Sequence, residues 1–270
     1  MEGFVVSLVL AIVVVLLTLR LSRERRHRKA LQMTVSWPIE SIGLDELDAR
    51  FAAGPFGPTL ETEVKFIGRG PIAVPGGTSD AEAWSLSVLA KRATRLFEFG
   101  TCTGKTAYLW SRNAPAGAEI VTITLSPEQQ AEYASADGDN VSDARFALQE
   151  SSFVEFLYSG TPAAAAITQL FGDSKQFDES PYHDWADLIF VDGSHARSYV
   201  ESDTQKAIAM VKPGGLIVWH DYAGEAHAPG VFQTLNDLSK SMALRHVRGT
   251  TFVVWRRLMP GQSVAAPPMP

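Results

Sequence analysis

The sequence predicts a doubly wound α/β domain built on a mostly parallel sheet of seven strands. From residue 78 onward, short apolar runs of strand length alternate with stretches of helical length. This alternation is typical of a sheet covered by helices on both faces. The last two apolar runs, within residues 244–257, are separated only by a short turn around Gly249. Strands joined without a helix pair in antiparallel fashion, so we expect an antiparallel final strand.

Start and stop signals delimit the individual elements. Ser79 and Glu82 have the spacing of a capping box, in which each side chain bonds the backbone of the other residue. Ser126 before Pro127 is a similar start signal, because proline suits the first helical position. Residues 212–215, KPGG, should close the fourth helix. The predicted helices are 79–92, 104–114, 126–135, 198–211 and 230–242; the predicted strands are 94–100, 118–125, 165–174, 186–195, 215–222 and two within 244–257.

The N-terminal segment predicts a transmembrane helix that anchors the protein. Residues 3–19 carry no charge, and at ~1.5 Å per residue this run is close to the minimum for crossing a bilayer core. The next ten residues, 20–29, hold six Arg or Lys and one Glu. Basic flanks stay on the cytoplasmic side of a membrane. We therefore expect a single pass that contacts lipid through residues 3–21, with the N-terminus outside and the large domain in the cytoplasm.

The charge and cysteine content of the remaining chain limit its partners and compartment. Residues 30–270 contain 18 basic and 28 acidic side chains, and this acidic balance argues against nucleic acid as a partner. Cys102 is the only cysteine, which excludes an internal disulfide and fits a reducing compartment. The oligomeric state does not follow from the sequence. The expected regions are an anchor with its basic flank (1–30), a linker or lid-like extension (31–77), the α/β domain (78–258) and a disordered tail (259–270).

A glycine loop follows the first predicted strand. Glu98, Gly100 and Gly104 form the pattern E-x-G-x-x-x-G. A phosphate-binding loop of the Walker type needs its first glycine one residue earlier. The dinucleotide fingerprint G-x-G-x-x-G is incomplete, because its second glycine would stand at Cys102. In doubly wound sheets, ligands bind at the carboxyl ends of the strands. The polar motifs at the predicted strand ends are 100–104, Thr124, 172–174, 192–195 and 220–221, which indicates one shared cleft.

The glycine loop resembles the first motif of class I S-adenosylmethionine-dependent methyltransferases. The stretches "GDSKQFD", "DLIFVDGSHARSYVESD" and "VKPGGLIVWHDY" resemble one branch of that family, with D-G-x-H after strand four and H-D-Y after strand five. The resemblance covers residues 78–257 and implies a Rossmann-like methyltransferase fold, S-adenosylmethionine as cofactor and methyl transfer as the activity. It places the cofactor on Glu98, Gly100, Thr101, Thr103, Gly104, Thr124, Asp173, Ser174 and Asp192.

One position departs from the family pattern. Members usually carry an acidic residue at the end of the second strand, which binds both ribose hydroxyls, whereas this chain has Thr124. A carboxylate accepts two hydrogen bonds from a diol, and threonine offers one uncharged oxygen. Either the cofactor affinity is reduced, another residue substitutes, or catalysis has been lost.

The ends of strands four and five predict the catalytic groups. Asp192, His195, His220 and Asp221 follow neighbouring strands about 4.8 Å apart, so their side chains can converge. His195 is the candidate general base, because its ordinary pKa is near neutrality; the alternative is a histidine that only supports the turn. Asp192 and Asp221, with or without His220, are candidate ligands of Mg²⁺. His220 stands where the family more often has a carboxamide or a carboxylate, and packing is its alternative role.

Three functions remain open from the sequence. The leading one is a membrane-anchored methyltransferase that acts on a hydroxyl of a small-molecule, sugar or lipid-linked acceptor, with His195, His220 and Asp221 as catalytic residues. The second is a catalytically degenerate fold that binds a nucleoside or a partner at the membrane. The third is a nucleotide-dependent oxidoreductase, which the incomplete dinucleotide fingerprint disfavours.

Overall fold

The computed structural model describes residues 38–51, 53–54, 57–58 and 78–261, together with a few isolated positions between 14 and 22. The chain divides into two compact units, Met1–Pro38 and Ile39–Pro270, and the second contains the sheet. Within the described residues, no helix combines the length and the apolar character needed to span a bilayer. The predicted anchor, residues 3–19, lies almost wholly outside these ranges, and so does the predicted tail from residue 262 onward.

An eight-stranded sheet organises the larger unit. Its order is β1-β9-β10-β8-β7-β4-β5-β6, and β2 and β3 form a separate two-stranded pair. The central strands β8, β7, β4, β5 and β6 are parallel to one another, whereas β10 is antiparallel to both β8 and β9. The strands are β1 Ser41–Ile42, β2 Ala53–Gly54, β3 Gly57–Pro58, β4 Arg95–Phe99, β5 Glu119–Thr124, β6 Ile167–Phe171, β7 Ala186–Val191, β8 Val211–Trp219, β9 Arg245–Val247 and β10 Val253–Arg256.

Four of the α-helices begin within one residue of their predicted starts, at Asp80, Lys105, Arg197 and Pro229, whereas the helix Val141–Glu150 was not predicted. Ser79 caps its helix by accepting a hydrogen bond from the backbone of Glu82, whose side chain accepts in return from the backbone of Ser79, so the predicted capping box is confirmed. The α-helices are α1 Leu44–Leu47, α2 Asp80–Ala90, α3 Lys105–Asn113, α4 Val141–Glu150, α5 Arg197–Met210 and α6 Pro229–Leu238.

The core lies on both faces of the central strands. In β4 four of five residues are buried, and in β7 five of six. Such continuous burial is expected of parallel strands that carry helices on both sides. Trp110 of α3 is 0 % exposed and Trp219 at the end of β8 is 1 % exposed. This packing fixes the strand ends that carry the polar motifs.

Three sequence predictions need correction. The sheet has eight strands instead of seven, because Ser41–Ile42 pairs in parallel with β9 at the edge. The segment after Ser126 is a 3₁₀ helix, Pro127–Glu132, although it keeps the capping box and Pro127 at its start. Residues 212–215 lie inside β8 and do not close α5, which ends directly at Val211.

The described part of the extension packs against the core. Leu47 and Phe51 are 8 % and 4 % exposed and belong to the same apolar cluster as Leu86 and Leu89 of α2. Arg50 donates to the carbonyl of Leu89 at 2.7 Å. A lid role for residues 31–77 stays a prediction.

Candidate active site

A cleft opens at the carboxyl ends of β4, β5, β6 and β7. It contains about 510 Å³ of space free of atoms, including the part open to solvent. Four carboxylate side chains line it, and none of the described residues that line it is Lys or Arg. The described lining residues that carry polar side chains are Cys102, Thr124, Tyr133, Glu150, Ser151, Asp173, Ser174, Asp192, Ser194, Tyr199 and Asp203.

Gly100 is required by the protein's own backbone. Its φ is +95°, a region that L side chains rarely adopt. A Cβ at this position would lie 2.0 Å from the carbonyl oxygen of Asp192. The absence of a side chain therefore lets the loop after β4 approach the loop after β7 closely. The family resemblance predicts that Gly100 contacts the cofactor. In the structure, the space that a side chain of residue 100 would need is occupied by the backbone of Asp192.

Gly104 begins α3 in the left-handed conformation, with φ +75°. A Cβ there would lie 2.6 Å from the ring of Tyr158 and 2.9 Å from Phe156. Gly104 does not line the cleft described above, and neither does Thr103, whose carbonyl accepts from the backbone of Leu157 at 2.9 Å. The far side of the glycine loop is thus held against the 156–158 segment.

Glu98 lies beneath the loop and not in the cleft lining. Its side chain is 1 % exposed, and Thr122 Oγ1 donates to Glu98 Oε2 at 2.7 Å. Because Thr122 donates its only hydroxyl proton to Glu98, it must accept the hydrogen bond from Thr101 Oγ1, which lies 2.7 Å from Thr122 Oγ1. Gln169 Nε2 in turn donates to Thr101 at 3.1 Å. Burial, together with the negative charge of Asp192, raises the pKa of Glu98 to about 8.

Two buried carboxylates at one end of the cleft have oxygens without a partner among the described residues. These atoms are Asp173 Oδ2 and Asp203 Oδ1, on residues 3 % and 1 % exposed. An unpaired buried polar atom is costly, so both oxygens are suited to accept from a bound ligand. Ser174 hydrogen-bonds to the Asp203 side chain, and burial raises the pKa of Asp203 to about 7. Tyr133 and Tyr199 stack beside them with ring centroids 4.5 Å apart.

Thr124 lines the cleft, as does Glu150 at the end of α4. The structure thus brings a carboxylate into the same cleft as the position where the family pattern leads us to expect one. Burial first, and then the charge of Asp192, raises the pKa of Glu150 to about 8.

A chain of carboxylates and imidazoles stands beside the cleft. His195 Nε2 donates to Asp221 Oδ2 at 2.8 Å. His220 Nδ1 lies 2.8 Å from Asp192 Oδ1 and 3.2 Å from Asp221 Oδ2. On the other side of the ring, His220 Nε2 lies 3.5 Å from Glu82 Oε2. All four strand-end residues predicted as catalytic or metal-binding therefore converge.

These contacts determine the protonation of both histidines. Burial alone would lower the pKa of His220, but the charges of Asp192 and Asp221 and the hydrogen bonds to both raise it well above its ordinary value. His195 has the same balance, in which burial is outweighed by the hydrogen bond and charge of Asp221, so its pKa is raised. Both shifts favour the imidazolium form, and the carboxylates on either side of His220 stabilise its charged ring.

Asp192, His220 and Asp221 are the described residues that could surround a divalent metal ion. One ligand atom each from Asp192, His220 and Asp221 lies within 4.8 Å of the others, which is close enough to surround an ion. A protonated imidazole is not a metal ligand, however, and His220 Nδ1 already spans the two carboxylates. The arrangement fits an imidazolium in place of Mg²⁺. Asp192 and Asp221 as metal ligands stay a prediction, and no step below uses a metal.

Several residues of this site were missed by sequence reasoning. Glu82 had been interpreted only as a helix cap, yet it also meets His220 and accepts from Thr251 N at 2.7 Å. Glu150 and Asp203 lie inside helices, where a charged side chain is unremarkable in sequence. Tyr133 and Tyr199 are far apart along the chain and stack only in the fold.

Comparison with known proteins identifies the domain. Residues 97–222 match a family model described as a methyltransferase domain. This segment of the chain is a methyltransferase domain. The matched segment runs from β4 to the end of the H-D-Y motif. It contains the glycine loop and every member of the imidazole–carboxylate chain except Glu82. No curated protein sequence matches the chain.

Solved structures similar to this methyltransferase share little sequence with it. The O-methyltransferase TomG from Streptomyces achromogenes, in complex with SAM, is 16% identical, with 66% of this chain and 80% of that chain covered and a TM-score of 0.43. The SAH-bound methyltransferase PaMTH1 from Podospora anserina is 18% identical, with 68% and 80% covered and a TM-score of 0.46. An O-methyltransferase from Bacillus cereus in complex with SAH is 15% identical, with 67% and 82% covered and a TM-score of 0.42. With TM-scores below 0.5, these likenesses carry no part of the assignment.

Proposed function

We propose that this methyltransferase uses S-adenosylmethionine to methylate a hydroxyl group, with His195 as general base. The observation that carries the proposal is the 2.8 Å hydrogen bond from His195 Nε2 to Asp221 Oδ2. Both residues line a small pocket that shares residues 192–194 with the cleft. This bond fixes the tautomer of the ring, because the nitrogen that donates to Asp221 carries the proton. Nδ1 is then the nitrogen available to accept a proton from a substrate.

The cleft suits the donor groups and the positive charge of S-adenosylmethionine. Its described lining has four carboxylates and no Lys or Arg, which favours a cationic ligand. Asp173 Oδ2 and Asp203 Oδ1 have no partner among the described residues and can accept from the amino group of adenine. Tyr133 and Tyr199 lie at the same end and offer apolar surface to the base.

The protein's part in methyl transfer is alignment and proton removal. Bound S-adenosylmethionine supplies the methyl group on a sulfonium, which is already a good donor. As the hydroxyl oxygen forms its new bond to carbon, His195 Nδ1 takes the hydroxyl proton, and Asp221 stabilises the imidazolium that results. His220, Asp192 and Glu82 hold Asp221 in place through the ion-pair chain. General base catalysis of this kind contributes about 10²- to 10⁴-fold to the rate.

The acceptor in this proposal is a small-molecule, sugar or lipid-linked hydroxyl close to the membrane. Residues 3–19 without charge and the basic stretch 20–29 support an anchor that holds the domain on the cytoplasmic side. Alkaline extraction of membranes tests the anchor: the full chain should stay with the pellet. A Leu10→Arg, Leu16→Arg variant should move to the supernatant, and an unchanged full chain in the supernatant would contradict anchoring.

Activity is tested by transfer of a labelled methyl group from S-adenosylmethionine to a panel of sugars, polyols, catechols and extracted lipids. His195→Ala and Asp221→Asn should each lower turnover by about 10² or more. His183→Ala is the matched control, because His183 is 54 % exposed, meets Glu179 and lines none of the described parts of the site. Equal activity of all three variants would refute the assignment of the base.

A catalytically degenerate domain is the second candidate, and Thr124 is the observation that favours it. In that case the full chain would bind S-adenosylmethionine or a nucleoside without transferring a methyl group to any acceptor of the panel. Turnover with a single acceptor removes this candidate.

A further inference from the structure

Glu150 is the carboxylate of the cleft that the mechanism above leaves unused. It is the last residue of α4 and lines the cleft together with Cys102 of the glycine loop and Asp192. Its side chain makes no hydrogen bond or ion pair with any described residue. The described lining offers no Lys or Arg to neutralise it. A partly buried carboxylate without a positive partner in the described lining favours the binding of a cation from outside the protein.

The packing of α4 places Glu150 near His195. Phe146, one helical turn before Glu150, packs its ring against that of His195, with centroids 5.2 Å apart. Asp192, His195 and Asp221 all act on its ionisation, and its charge in turn affects His195 and Cys102. Glu150 therefore belongs with the proton acceptor and the glycine loop.

We propose that Glu150 is the counter-charge for the sulfonium of S-adenosylmethionine. This inference rests on the proposed function, because His195 marks where the acceptor oxygen lies. During transfer the methyl carbon lies between that oxygen and the donor sulfur. The sulfur must consequently occupy the His195 end of the cleft, which is the end where Glu150 stands. The ammonium group and the ribose are farther from the reacting carbon along the cofactor.

A counter-charge of this kind has a specific consequence for turnover. The positive charge on sulfur disappears as the methyl group leaves, so an interaction with Glu150 stabilises the bound substrate more than the transition state. It also disappears in the product, S-adenosylhomocysteine, whose sulfur is neutral. Glu150 thus favours binding of the methyl donor over the demethylated product. Its removal should raise KM for the donor without lowering kcat.

Calorimetric titration of the detergent-solubilised full chain tests the proposal without needing an acceptor. For Glu150→Gln, we expect the Kd for S-adenosylmethionine to rise about tenfold and that for S-adenosylhomocysteine to change less than about twofold. Glu155→Gln, the same substitution at an exposed residue five positions later, should leave both affinities unchanged. Glu150→Ala gives a second neutral variant in case the Gln variant does not fold.

If Glu150→Gln weakened the binding of S-adenosylmethionine and S-adenosylhomocysteine equally, the inference would be overturned. Glu150 would then contact a group that the two molecules share. Unchanged affinity for both would overturn it as well. Either result leaves the His195 test of the proposed function standing, since that test measures turnover and this one measures binding alone.

Discussion

Replacing Glu98 by Gln should make the protein more stable at high pH and leave its stability at low pH nearly unchanged. Glu98 is buried beneath the glycine loop, and burial with the charge of Asp192 raises its pKa from 4.5 to about 8. A group whose pKa is higher in the folded than in the unfolded state takes up a proton on folding. The stability it confers is present below pH 4.5 and is lost as the pH rises towards 8.

The size of the effect follows from the shift. Each pH unit between the two pKa values changes the free energy of unfolding by about 1.4 kcal/mol. From pH 5 to pH 8 the wild type should therefore lose about 4 kcal/mol more than the Gln variant, which cannot ionise. Gln also keeps an oxygen that can accept from Thr122, as Glu98 does at 2.7 Å.

Urea unfolding of the full chain in detergent, followed by tryptophan fluorescence at several pH values, measures this difference. Trp110 and Trp219 are 0 % and 1 % exposed and report on the core. Glu119→Gln is the control, because Glu119 lies on the neighbouring strand with its side chain 65 % exposed. Parallel stability curves for the wild type and Glu98→Gln between pH 5 and pH 8 would refute the argument.

Three further outcomes follow from the site. Gly100→Ala should lower the free energy of unfolding, measured in urea, by about 3 kcal/mol or more, because the new Cβ would clash with the Asp192 carbonyl. Gly138→Ala is the control: Gly138 has a similar φ of +93° but no atom within 4 Å of the Cβ position, so this change should lower the free energy of unfolding by only about 1–2 kcal/mol. Asp221→Asn should move the acidic limb of the kcat/KM profile to lower pH, because burial then dominates the pKa of His195; an unshifted limb would show that another group is the base. EDTA should change methyl transfer by less than about twofold, since His220 spans Asp192 and Asp221; a loss of activity that Mg²⁺ restores would contradict this.

Local signals in the sequence determined most of the α/β domain. The capping box at Ser79 and the apolar runs of β4, β5, β7 and β8 depend on neighbours in sequence, so pattern alone located them. The eighth strand could not be found in this way. Ser41 and Ile42 are only two residues, and their strand conformation exists because the edge of β9 offers hydrogen-bonding partners.

The candidate site was predictable where the chain topology alone brings residues together. His195 and Asp221 converge because they follow adjacent parallel strands. Glu150 was not predictable, since its place in the cleft depends on how the end of α4 packs. The interpretation of the glycine loop was incomplete for a related reason. The sequence shows that Gly100 and Gly104 lack side chains. Only the fold shows that the backbone of Asp192 occupies the space beside Gly100 and that the ring of Tyr158 occupies the space beside Gly104.

Thr251 connects the helix cap of α2 to the active site. Its backbone and hydroxyl donate to Glu82 Oε1 at 2.7 and 2.9 Å, and its hydroxyl accepts from the backbone of Asp221 at 3.2 Å. During synthesis the glycine loop, His195 and Asp221 all leave the ribosome well before residue 251. The carboxylate–imidazole chain therefore lacks one of its supports until the final hairpin, β9 and β10, has docked. A nascent or truncated chain that ends before Thr251 would carry every proposed catalytic residue and still hold Asp221 without this anchor.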